Sequence, residues 1–154
     1  MEVSFCEKWF RHRKKIIGPL NREKAKEFDK NKKSYTALIG NPMQPHCFIE
    51  INLGCYGVNF LDKHKRVYLS YSFEEQENEM LFLIEAVYIE YEGNTDNMLT
   101  HTNYWFSPDG IVKIGKSEPP FQKVEVTEKK IDVVNNWEKK PEFGNYENLI
   151  KKER

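Results

Sequence analysis

The chain has 154 residues, of which 39% are hydrophobic, 31% charged and 14% aromatic, and its 24 Lys and Arg balance 24 Asp and Glu. So many aromatics at zero net charge exclude a disordered polyampholyte and predict one compact domain over 1–154. The longest apolar run, around Met80–Ile84, is too short for a membrane helix, and the N-terminus has no apolar signal core, so a cytoplasmic protein is expected.

In chain order, Asn21 as N-cap, Glu23 in the first turn, and Ala25 and Phe28 as apolar anchors predict a short helix over 22–31. Gly40, Asn41, Pro42 and Pro45 mark a loop. From Phe48 to Phe60 the residues alternate with period two, but the phase changes at Gly54, which predicts a bulge or a tight hairpin. A strand follows over 66–73, then a loop or helical turn over 73–78 and a long strand to Glu92, with Val87, Ile89 and Tyr91 inward and Tyr88, Glu90 and Glu92 towards solvent. Ser107-Pro108-Asp109-Gly110 between two apolar strands predicts a hairpin, in which Trp105 faces away from Tyr104 and Phe106. A strand at 121–126, a helix from Thr127 to Trp137 and a final short helix over 146–152 complete the reading. Consecutive strands with helices near the N- and C-terminal ends predict an α+β fold with a largely antiparallel sheet.

No catalytic motif is present. Cys6, Cys47 and Cys55 include no CxxC pair, and His12, His46, His64 and His101 show no ligand spacing, so no metal and no cofactor are expected. A Cys47 or Cys55 nucleophile beside a histidine is less expected than a buried structural thiol. The carboxylates Glu90 and Glu92 share a strand face that nothing marks as a sugar cleft.

The informative feature is the charge layout. Residues 1–33 carry 11 Lys/Arg against 5 Asp/Glu, whereas Val67–Val112 holds no Lys or Arg and nine acids. Either the basic quarter neutralises the acidic middle internally, or the acidic surface meets a basic partner. Arg11, Arg13, Lys14 and Lys15 beside Trp9 and Phe10 also form a nucleic-acid motif, the less expected reading for a chain so acidic elsewhere. The partner-binding residues expected are Glu74, Glu75, Glu77, Glu79, Glu90, Glu92 and Asp96, with Trp105 as an aromatic anchor.

In this layout of Lys, Glu, Asn and aromatics without catalytic motifs, the chain resembles the small immunity proteins of bacterial contact-dependent growth inhibition and polymorphic toxin systems. The resemblance is one of style over the whole chain; YWFSPDG is a hairpin signal, so no residue is transferred from the family. It implies a cytoplasmic inhibitor that binds and blocks a cognate toxin domain, such as a nuclease, rather than an enzyme. An adaptor or regulatory domain with a different protein partner is the alternative, followed by a small enzyme.

Overall fold

The computed structural model describes residues 1–154. Eleven strands form one sheet: β1 (Val3–Phe10), β2 (Lys15–Leu20), β3 (Tyr35–Asn41), β4 (Gln44–Asn52), β5 (Cys55–Leu61), β6 (Val67–Glu75), β7 (Met80–Tyr91), β8 (Met98–Phe106), β9 (Ile111–Ser117), β10 (Glu125–Lys130) and β11 (Trp137–Lys139). The order is β10-β9-β8-β7-β6-β5-β4-β3-β1-β2, and every pairing is antiparallel. β11 pairs with β7 through Trp137 opposite Phe82, in the lane that β8 leaves after Trp105 opposite Glu85.

The expected α+β class is overturned. With 54% strand and 10% helix, this is an all-β architecture with one helix, α1 (Arg22–Lys30). That helix follows its cap as expected: Asn21 Oδ1 accepts from the Lys24 amide at 2.8 Å, and Ala25 and Phe28 are buried. The two C-terminal helices do not form. Glu125–Lys130 pairs residue by residue with β9, so cross-strand hydrogen bonding outweighs the helical spacing of Lys130, Val134 and Trp137. Residues 146–150 make only isolated turn bonds from the Leu149 and Ile150 amides to the Tyr146 carbonyl. The strand expected at 121–126 begins later, at Glu125, and β1, β2 and β3 carry no expected counterpart.

Elsewhere the turn chemistry holds. The phase change at Gly54 is a two-residue hairpin turn in which Leu53 and Gly54 both adopt positive φ, 44° and 79°. In the β8–β9 hairpin the Gly110 amide donates to the Ser107 carbonyl at 2.9 Å and the Ser107 amide to the Ile111 carbonyl at 3.0 Å. The loop expected around Gly40–Pro45 is a tight turn at Pro42 and Met43, with Gly40 opposite Pro45 and Asn41 opposite Gln44 in the β3–β4 ladder.

The main core lies on the inner face of the sheet. Ile49, Val58, Tyr71, Phe73, Leu83 and Ala86 pack there beneath Ala25 and Phe28 of α1 and beneath Tyr146 and Leu149 of the C-terminal segment. The outer face carries a second, smaller core of Cys6, Trp9, Leu38, Phe48 and Leu61. Lys14, at the tip of the β1–β2 hairpin, reaches Asp96 in the β7–β8 turn at 2.8 Å. β1 and β7 lie five lanes apart, about 24 Å in a flat sheet, so the sheet curls and the hairpin folds back over the outer face. No helix is long and apolar enough to cross a membrane.

Candidate protein-binding face

The β1–β2 hairpin divides the outer face into a covered half and an open half. Under the hairpin, Trp9 stacks on Phe48 at 5.7 Å, and the Arg11 guanidinium lies 5.1 Å from the centre of the same Phe48 ring. Arg11 also bonds the Glu50 carboxylate and donates to Asn59 Oδ1 at 3.3 Å, while Asn59 Nδ2 donates to the Gly57 carbonyl at 3.0 Å. The acid on this half is therefore neutralised within the fold.

The open half runs from β6 to β9. Leu81 and Leu83 face the inner core, as does Ala86, so the alternation of β7 changes phase between Leu83 and Ala86. The cause is a bulge: Ser72 pairs with Glu85 but Phe73 with Leu83, which leaves Ile84 unopposed. This corrects the expected inward set. Val87 and Ile89 stand on the outer face, while Glu90 shares the inner side with Ala86 and Tyr88, beyond the elements that cover the core; Tyr88, Glu90 and Glu92 are nonetheless exposed to solvent as expected, and Val87, Ile89 and Tyr91 are part-buried. The same bulge turns Glu85 outward beside Ser72, where its carboxylate accepts from Asn103 Nδ2 at 3.2 Å.

Trp105 stands directly opposite Glu85, 38% exposed, with its ring over Gly115. A Cβ at residue 115 would come within 2.8 Å of that ring, so only glycine permits the approach. One lane position further on, Trp137, 36% exposed, meets Phe82 edge-on at 4.8 Å. Both tryptophans thus lie beside β7 on the outer face, with Glu74 diagonal to Glu85 across the β6–β7 ladder. Tyr104 and Phe106, as the alternation predicts, stack on each other on the inner face, with ring centres 6.4 Å apart.

The expected acidic residues fall into two groups. Glu74, Glu75, Glu77 and Glu79 lie at the β6–β7 turn; Glu90, Glu92 and Asp96 lie at the β7–β8 turn. The twelve-residue β7 sets these ends about 36 Å apart along the strand, too far for one compact contact. Of the nine acids in 67–112, Asp96 is paired by Lys14 and Glu75 by Lys140 at 3.2 Å, and the remaining seven have no cation within 4.0 Å. Glu74 and Glu75 also line a cleft of about 600 Å³ shared with Lys32, Lys33 and Lys140, which gives that end mixed charge. The β7–β8 turn is held by Arg66, which donates to the carbonyls of Gly93 at 2.8 Å and Thr95 at 2.6 Å and lies 4.6 Å from the Tyr91 ring centre.

Glu85, Asn103 and Trp137 are the site residues that sequence reasoning missed. Glu85 sits in phase with the apolar residues Val87 and Ile89, and an acid in such a phase is the signal that could have found it. Among the candidate nucleophiles, Cys47 is fully buried, and burial pushes its thiol up to about 12, which keeps it protonated at neutral pH. His46 lies on the opposite strand face, and Cys55 is exposed. No three His, Cys, Asp or Glu side chains come together as a metal site. None of the protein-family models, curated proteins or solved structures compared with the chain matches it.

Proposed function

We propose that this chain is a protein-binding inhibitor of the immunity type, which acts in the cytoplasm and blocks a basic toxin domain, such as a nuclease, through the open half of its outer face. The observation that carries the reading is the pair of partly exposed tryptophans beside β7, set among the uncompensated carboxylates Glu74 and Glu85. Rigid aromatic anchors ringed by polar groups are how protein interfaces concentrate their binding energy. A sheet supplies them without mobile loops, so little side-chain entropy is lost on docking. Glu77 and Glu79 extend the contact at one end. Glu90 and Glu92, at the far end, add to the field that a basic partner meets on approach, an effect strongest at low ionic strength.

Two steps test this reading: determining whether the adjacent upstream gene ends in a cytotoxic domain, as the reading expects, and co-expressing that domain with this chain. The parent is expected to protect the cell and co-purify with that domain, and Trp105→Ala to weaken binding by about 2 kcal/mol, roughly thirtyfold. Equal protection by parent and variant would move the interface off this face. Failure of the parent to protect, with turnover of a small substrate by the purified protein, would establish an enzyme instead.

A further inference from the structure

The sheet has two edges, and they differ in chemistry. β2 is blunted, because Gly18 turns its backbone to φ +64° and Pro19 has no amide hydrogen to donate. β10 is regular, pairs with β9 from Glu125 to Lys130, and is exposed at all six residues. Its free side is a row of unpaired backbone groups, a template for another strand.

We propose that β10 is a homodimerisation edge, along which a second copy of this chain adds its own β10 antiparallel about a two-fold axis at Thr127. Symmetry restricts the register. In an antiparallel pair, opposed residues both point their backbone groups across the ladder or both point them away, so in a self-pairing strand the two residue numbers differ by an even amount. Centring on Glu128 would oppose two glutamates, and centring on Val126 would set Glu125 against threonine. Centring on Thr127 places Glu125 opposite Lys129 of the partner subunit, twice by symmetry, and Thr127 opposite its own copy. Opposite charges and paired threonines are favourable cross-strand neighbours. In the same register Val126, 57% exposed on the outer face, becomes the diagonal neighbour of its symmetry mate. The resulting interface is isologous and closes at two chains. It does not depend on the toxin reading.

Sedimentation velocity over a concentration series tests the edge with charge swaps. The parent is expected to convert from monomer to dimer as concentration rises. Lys129→Glu opposes glutamate to glutamate at two symmetric positions and should weaken dimerisation about tenfold or more. Combining Glu125→Lys with Lys129→Glu should restore the parent behaviour, and an equimolar mixture of the two single variants should form a heterodimer, since lysines then face glutamates at both positions. A parent that stays monomeric at every concentration overturns the proposal. So does a dimer that ignores Lys129→Glu, or a double variant no better than the single one.

Discussion

Glu50 and Glu85 occupy equivalent places on one face of one sheet, yet their surroundings are opposite. Above Glu50 the β1–β2 hairpin supplies Arg11, with Trp9 stacked on the neighbouring Phe48, and the half-exposed carboxylate is paired within the fold. Above Glu85 there is only the Asn103 amide and the edge of Trp105. The difference shows that the basic first quarter does neutralise part of the protein, but in a different place from the acidic middle. It pairs Arg11 with Glu50, and its only ion pair to the acidic segment is Lys14 with Asp96.

The strongest way to break this comparison is to uncover the protected half. Trp9→Ala removes the ring stacked on Phe48 and should destabilise the fold by about 3–5 kcal/mol, read as a fall in the urea midpoint. A loss below about 1 kcal/mol would mean that the hairpin merely rests on the sheet.

A finer contrast comes from Arg11→Ala and Glu85→Gln. Arg11 and Glu50 are both about half exposed, so the lost pair should cost about 1 kcal/mol or less. The Arg11 variant leaves Glu50 as open as Glu85 and should speed association with a basic partner, whereas Glu85→Gln should slow it by a few fold and flatten its salt dependence. Stopped-flow rates at two ionic strengths check this, and changes of the same sign in both variants would detach binding from the charge of this face.

The smallest effect concerns the frame beside the open half. Burial acts to raise the Asp62 carboxyl, but hydrogen bonds from the Arg66 amide and side chain and the His64 amide outweigh it and hold the group below its ordinary value of 3.8. The unfolded chain then takes up this proton more readily than the folded one, so the contribution to stability is complete above that value and is lost as pH falls through the lower, folded one. Between pH 5 and 3 the parent should lose slightly more stability than Asp62→Asn in urea titrations; parallel losses would show that Asp62 contributes nothing to the acid response.

What was legible in the sequence is what adjacent residues decide. Asn21 caps its own helix, Ser107–Gly110 closes its own turn, and alternation sends Trp105 away from Tyr104 and Phe106. The C-terminal helices failed because 127–130 pairs with the preceding strand β9, a partner that the spacing of Lys130, Val134 and Trp137 does not register. The acidic segment was visible as charge. Its division was not, because that depends on the uninterrupted length of β7 and on an extra residue at Ile84, neither of which local composition encodes.

Because β3 to β10 follow one another as a meander, most of the sheet can assemble by adding one hairpin to the last, at little cost in chain entropy. The lid on the inner core is different: Tyr146 lies against Tyr35, 111 residues earlier, with their hydroxyls 3.2 Å apart. Closing so long a loop is the slow, non-local step. During synthesis the chain up to β10 therefore leaves the ribosome with only α1 over its inner face, and the part beneath Tyr146 and Leu149 is covered only once 143–150 have emerged, an interval in which bare apolar surface favours aggregation.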